Sequence, residues 1–153
     1  VTLFVGSDHA GFELKEKILK TLAPLLAQKL SAGRHPEKWV DCGPGDESRV
    51  DYPDIADRVC KEVMKSSGRG ILVCGSGQGM AMRANRFLGI RAALVWNSES
   101  ARLARLHNDA NVLCLGGRLL EHSLCFELVE IFLSTPFEGG RHLARVQKLG
   151  AGV

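Results

Sequence analysis

The stretch Gly70-Ile71-Leu72-Val73-Cys74-Gly75-Ser76-Gly77-Gln78-Gly79-Met80 decides how the rest of this chain reads. A short apolar run suited to a buried strand ends in a thiol, and glycines follow at alternate positions. A helix-compatible run, Met80-Ala81-Met82-Arg83-Ala84-Asn85, comes next. Strand, glycine loop and helix N-terminus together aim backbone N–H groups at one point, where an oxyanion is favoured. The same field favours a thiolate, so Cys74 qualifies as a base or a nucleophile. Taken alone, the stretch also fits a structural glycine turn beside an inert buried cysteine.

Three commoner uses of a glycine loop do not fit. The dinucleotide fingerprint follows a first strand and has an acidic residue at the end of the next. Here the loop follows the third strand-like run, and the next one ends in Val95-Trp96-Asn97. A Walker loop needs Gly-Lys-Ser/Thr, which is absent. A cysteine phosphatase loop has an arginine six residues beyond its nucleophile, and that position is Met80. What remains is a cradle for one small oxyanion.

Outward from this loop, apolar runs alternate with helical periodicity. Strands are predicted at Leu3-Phe4-Val5, Trp39-Val40-Asp41-Cys42, Ile71-Leu72-Val73, Ala92-Ala93-Leu94-Val95 and Val112-Leu113-Cys114-Leu115. Helices are predicted from Phe12 to about Lys29, Ile55 to Lys65, Ser100 to Leu106, Ser123 to Leu133 and Arg141 to Lys148. Five strands buried on both faces, each followed by a helix, make an α/β fold. The expectation is a three-layer α/β/α sandwich with a five-stranded parallel sheet, as one domain over residues 1–153. Ligands in such Rossmann-like sheets bind beyond the carboxyl ends of the strands. Asp8-His9, Cys74 and Gly116-Gly117-Arg118 fall there. The segments Ser31 to Lys38 and Gly43 to Asp46 read as polar surface loops.

Composition narrows the partners. A net charge of +3 with no basic run or aromatic–basic interleaving argues against nucleic acid and suits a small anionic ligand. Five cysteines, an odd number with no Cys-x-x-Cys, point to reduced thiols and a cytoplasmic setting. No Cys/His pairs have ligand spacing, so no metal is expected. No apolar stretch is long enough to span a bilayer, so no membrane is expected either.

The remaining candidates each have two readings. Asp8 suits a helix N-cap, or a proton donor facing Cys74 with His9 as an anion contact. His107, before Asn108-Asp109-Ala110-Asn111, suits a helix C-terminus through the dipole, or general acid–base work. Arg141 and Arg145 lie one helical turn apart, and with Arg118 they offer guanidinium groups suited to phosphate. A solvated basic face is the alternative. Tyr52 in Asp51-Tyr52-Pro53 either packs at a helix start or faces the ligand. Cys42, Cys60, Cys114 and Cys125 read as small core hydrophobes.

Taken in order, these motifs resemble the ribose-5-phosphate isomerase B family, which includes the subunits of galactose-6-phosphate isomerase. The resemblance runs from Val5-Gly6-Ser7-Asp8-His9-Ala10-Gly11-Phe12 through Asp51-Tyr52-Pro53 and Cys74-Gly75-Ser76-Gly77-Gln78-Gly79. It continues in Ala84-Asn85-Arg86, Gly89-Ile90-Arg91-Ala92, His107-Asn108-Asp109-Ala110-Asn111, Gly116-Gly117-Arg118 and Pro136 to His142 with Arg145. It implies a flavodoxin-like fold with its own strand order, and a homodimer or tetramer whose active sites are shared between chains. It also implies cofactor-free and metal-free interconversion of an aldose phosphate and a ketose phosphate.

Family members carry the base either at the Cys74 position or as a glutamate at the Met80 position, so Cys74 is the base implied here. Oxyanion stabilisation then falls to the Gly75, Gly77 and Gly79 backbone and to Ser76. Ring opening falls to His107 with Asp8. The phosphate falls to Arg141, Arg145 and His9, with Arg118 or His142 from a partner chain. Tyr52, Asn85 and Asn108 are left to sugar hydroxyls or loop shape. The segment from about Ala27 to Lys38 is longer than the family's usual link.

The leading expectation is therefore isomerisation of ribose 5-phosphate and ribulose 5-phosphate. Alternatives are another phosphosugar, such as galactose 6-phosphate or a tetrose phosphate, and a non-catalytic phosphosugar-binding module.

Overall fold

In the computed structural model, which describes residues 1–29 and 36–152, five strands form one parallel sheet. They are β1 (Thr2–Ser7), β2 (Lys38–Asp41), β3 (Arg69–Cys74), β4 (Ala92–Leu94) and β5 (Val112–Gly116), in the order β2-β1-β3-β5-β4. The helices are α1 (Phe12–Lys17), α2 (Ala23–Lys29), α3 (Tyr52–Ser66), α4 (Gln78–Ala84), α5 (Ser98–Leu106), α6 (His122–Ser134) and α7 (Leu143–Leu149).

Strand alternation sends neighbouring side chains into two different cores. Leu3, Val5, Ile71, Val73, Leu113 and Leu115 pack with Leu14, Ile18 and Leu26, with Ala101, and with Leu128 and Phe132 of α6. Phe4, Leu72, Cys74, Val112 and Cys114 face the other way, onto Ile55, Val59 and Val63 of α3 and Met80 and Ala84 of α4. The three layers follow from this division. Each fully buried Leu or Ile contributes about 1.5–3 kcal/mol, so both cores stabilise the sheet that carries the loop.

Two expectations need correction. The edge strands are not buried on both faces: Lys38 and Asp41 are exposed, and Ala92 to Leu94 are half-buried. Each has a strand neighbour on one side alone among the described residues. The helix predicted from Phe12 to about Lys29 is interrupted by a π-helical turn at Ile18–Leu22, where the N–H of Ala23 donates to the carbonyl of Ile18. Pro24 has no N–H to continue the α-helical ladder, and widening the preceding turn accommodates it. Residues 30–35, half of the longer 27–38 segment and most of the loop read at Ser31 to Lys38, lie outside the described residues.

Strand order sets the position of the site. The chain leaves β1 for β2 on one side and then returns to β3 on the other, so the sheet reverses direction between β1 and β3. That reversal opens a crevice at the carboxyl ends of these two strands. Asp8 follows β1 there, and Cys74 closes β3. Lys15, fully buried in α1, ties the neighbouring loop down: its Nζ donates to Asp41 at 2.7 Å and to the Pro44 carbonyl at 2.9 Å. No helix among the described residues is long and apolar enough to cross a membrane.

Candidate active site

Cys74 pairs in register with Gly116 at the carboxyl end of β5, and its side chain is 5% exposed. The chain then turns sharply into α4 through Gly77, whose φ of +77° a side chain adopts only at a cost. That turn points the Gly77 N–H at the Cys74 Sγ, 3.1 Å away. The Gln78 N–H donates to the Ser76 hydroxyl at 3.3 Å. Two N–H groups of the loop therefore serve its own thiol and hydroxyl, which narrows the expected cradle to Gly75, Ser76 and Gly79. That N–H holds the sulfur at the mouth of the crevice.

Burial disfavours the thiolate at the other four cysteines. Burial pushes the Cys42 thiol up to about 11, with Asp41 adding to it, and the Cys60 thiol up to about 12. Burial likewise raises Cys125 to about 11 and Cys114 well above its ordinary value.

Around Cys74 the crevice is polar. The Asp8 carboxylate accepts from the Gly11 N–H at 3.0 Å, which organises the turn before α1; the N-cap of that helix is Gly11, not Asp8. Asp8 is itself 7% exposed. Beside it, the Ser7 hydroxyl and the His9 Nδ1 are buried without a hydrogen-bond partner among the described residues. Ser7 lies inside the motif containing Asp8 and His9, yet the sequence reading passed over it, because a serine at a strand end has no distinctive pattern.

The ring of Tyr52, at the start of α3, packs on Gly79 so closely that a Cβ there would lie 2.6 Å from Cζ. Arg118 folds over Gly75, whose added Cβ would lie 3.5 Å from the arginine Cδ. Arg118 thus sits beside the Cys74 loop of its own chain.

His107 lies elsewhere. It closes α5 just before the amino end of β5, whereas Cys74 meets the carboxyl end of that strand. The four residue steps of β5 alone separate the two by roughly 13 Å at a strand rise of 3.3 Å. Within one chain Asp8 and His107 are therefore not neighbours. His107 instead stacks on His142, with ring centroids 4.1 Å apart and planes at 15°. Both Nε2 atoms face Glu138 Oε2, at 3.7 Å from His107 and 3.2 Å from His142. The Glu138 N–H donates to the Leu106 carbonyl at 3.0 Å, which fixes this tail against the end of α5.

Glu138 was not singled out in the sequence, since its distance from His107 along the chain gives no periodicity to read. Arg141 and Arg145 flank His142, and both are exposed. Their predicted single helix is split into a 3-10 turn (Gly140–His142) and α7. Arg118, Arg141 and Arg145 form no ion pair with any described residue, which leaves their guanidinium groups available to an anion.

Two asparagines prove structural. The Asn85 side chain exchanges paired hydrogen bonds with the Ala92 backbone at 2.9 Å each, bracing edge strand β4. Asn111 likewise accepts from the Arg91 N–H and donates to the Gly89 carbonyl, both at 2.8 Å. Asn108 is exposed and lines a groove of about 490 Å³ with Asn85, Ala92 and Leu149. Asp109 receives Arg91 and Arg105, at 2.9 and 2.8 Å, and so holds the turn that presents His107.

Comparison with known proteins gives a consistent picture. A family model described as ribose/galactose isomerase matches residues 3–149. A crystal structure of a ribose 5-phosphate isomerase from Thermotoga maritima is similar at a TM-score of 0.86 and 46% identity, covering 97% of each chain. The structure of ribose 5-phosphate isomerase B from Anaplasma phagocytophilum is similar at a TM-score of 0.84 and 41% identity, covering 97% of this chain and 96% of that one. A curated relative from Listeria innocua, named ribose-5-P isomerase B, is 39% identical over 143 residues, 93% of this chain and 90% of its own length.

Proposed function

The chain belongs to the ribose/galactose isomerase family and is a sugar-phosphate isomerase, and from that premise we propose that it interconverts ribose 5-phosphate and ribulose 5-phosphate with Cys74 as the base. The observation that carries this reading is the Gly77 N–H directed at the Cys74 sulfur, at the point where the sheet reverses.

In the open-chain aldose the Cys74 thiolate takes the proton from C2. The C2–H electrons form the C1–C2 double bond of an enediolate, and the carbonyl electrons pass to O1. The resulting thiol returns the proton to C1, while a proton moves from O2 to O1, leaving the ketone at C2. Charge on the enediolate oxygen is met by the Gly75, Ser76 and Gly79 N–H groups and by the Ser76 hydroxyl. Removing one such donor typically costs about 3 kcal/mol of transition-state stabilisation.

Asp8, His9, Tyr52 and Arg118 complete the half-site around Cys74. His107 opens the furanose, and Arg141, His142 and Arg145 hold the phosphate. The separation of these two groups within one chain supports a homodimer, or a tetramer built of such dimers, in which each site joins Cys74 of one subunit to His107 of the other.

The test is conversion of ribose 5-phosphate by this chain alone, with a chelator present, beside Cys74→Ala. Turnover is expected in the native chain, with a loss on the order of a hundredfold or more in the variant. Full activity in Cys74→Ala removes the thiolate base. A folded native chain inert towards ribose 5-phosphate removes the assigned sugar.

A further inference from the structure

We propose that Lys15 is a positioning residue for the isomerisation: its buried ammonium sets the Asp8–His9 turn against the strand that ends in Cys74. The effect on turnover rests on the roles given to Asp8 and His9 above; the positioning itself does not.

Lys15 is 0% exposed, although nothing in Glu13-Leu14-Lys15-Glu16-Lys17 marks it as buried. Each of its three ammonium hydrogens has an acceptor: Asp41 Oδ2 at 2.7 Å, the Pro44 carbonyl at 2.9 Å and Glu16 Oε1 at 3.2 Å. The Phe12 ring lies 5.1 Å from the nitrogen. Burying a charge costs stability even when it is paired, and an apolar side chain of similar volume often serves a core as well or better. What the ammonium adds is direction. It joins α1 to the end of β2 and to the loop that follows.

Two routes lead from Lys15 to the crevice. The first is the backbone of α1. The Lys15 N–H donates to the Gly11 carbonyl at 2.9 Å, and the Gly11 N–H donates to the Asp8 carboxylate at 3.0 Å. A Cβ on Gly11 would lie 2.5 Å from the Val73 carbonyl oxygen, so this turn presses on the residue just before Cys74.

The second route is the loop after β2. The Asp41 carboxylate that accepts from Lys15 also accepts from the Gly43 N–H, at 2.8 Å. The Gly43 carbonyl accepts in turn from the Ser7 N–H at 3.1 Å, one residue before Asp8. Asp8 and His9 are thus held from both sides, and Lys15 belongs to both routes. Support of this kind matters because a misplacement of about 1 Å can cost about a hundredfold in rate.

The experiment uses the full chain and three substitutions. Lys15→Met keeps an apolar side chain of similar length and removes the donors. Asp41→Ala breaks the second route at a side chain that is 40% exposed, so it decides the matter if Lys15→Met does not fold. Ile18→Val, which removes one methyl from the same core, controls for lost stability alone. Lys15→Met and Asp41→Ala are expected to lower kcat for ribose 5-phosphate by about tenfold or more. KM is expected to stay within about twofold, because the phosphate is assigned to the tail residues. Ile18→Val is expected to lower the urea midpoint and keep kcat. Amide hydrogen exchange at Ser7 and Gly43 is expected to quicken in the first two variants but not in Ile18→Val.

Native kcat in folded Lys15→Met, or in Asp41→Ala where Lys15→Met does not fold, overturns the proposal. A loss of kcat shared by Ile18→Val overturns it too, since stability alone then explains the effect. A native chain with no turnover of ribose 5-phosphate counts against the function proposed above. Exchange at Ser7 and Gly43 then still reads whether Lys15 holds the turn, and unchanged exchange shows that it does not.

Discussion

The Gly77 N–H and the Cys74 sulfur lie 3.1 Å apart, so the turn that ends β3 closes on the thiol it follows. The left-handed backbone at Gly77 makes this possible, and a Cβ there would also lie 2.6 Å from Leu94 Cδ1. Loop conformation and thiol chemistry are thus one feature. The same backbone that starts α4 prepares the group at the crevice.

That pairing predicts selective alkylation. A thiol reacts as its thiolate, and at a given pH a raised pKa means less thiolate. With Cys42 and Cys125 pushed to about 11, Cys60 to about 12 and Cys114 well above its ordinary value, these four are expected to stay unreactive below about pH 9. Mass spectrometry of a digest after limited iodoacetamide treatment is expected to find label on Cys74 first, with protection by bound phosphosugar. Label distributed evenly over Cys74, Cys60 and Cys125 contradicts the prediction.

The contact between Tyr52 and Gly79 makes a stability prediction. Gly79→Ala forces a methyl to within 2.6 Å of the ring and is expected to cost about 1–3 kcal/mol, as overpacking does. Adding Tyr52→Ala removes the obstacle, so the double variant is expected to lose less than the sum of the single changes. Urea unfolding of all four proteins measures the coupling, and strict additivity would show that the ring yields freely.

The distance between Cys74 and His107 predicts complementation. Cys74→Ala and His107→Ala are each expected to be inactive, but mixed and allowed to exchange subunits they leave one intact site in every heterodimer. Activity is expected to return to about a quarter of the native value for equal, random mixing of a two-fold dimer. A mixture as inactive as its parts means that both groups act from one chain.

The basic tail predicts a loss common to two ligands. Arg141 has no ion-pair partner among the described residues, so Arg141→Ala removes a donor without leaving a carboxylate unpaired. Affinities for ribose 5-phosphate and for inorganic phosphate are expected to fall together, by roughly tenfold or more for a charge-assisted hydrogen bond. Equal affinities in variant and native chain place Arg141 outside the phosphate site.

The sequence by itself determined the layers and one half of the site. Apolar runs such as Ile71-Leu72-Val73 between helical segments require a parallel sheet covered on both faces, and burial then fixes which side chains point to each core. Motifs contiguous with a strand end, Asp8-His9 and Cys74 to Gly79, could be placed at the ligand edge because a strand carries its neighbours to a known position. The π-turn at Ile18–Leu22 and the exposure of the edge strands followed from Pro24 and from strand order, which apolar periodicity does not encode.

Only the tertiary structure decided the other half. His107, Glu138 and His142 meet because residues 136–142 fold back on α5, and their positions in the sequence share no period. The sheet order likewise decided that His107 and Cys74 stand at opposite ends of β5. Local patterns record what a residue's near neighbours impose; which distant segments come together depends on packing across the whole sheet.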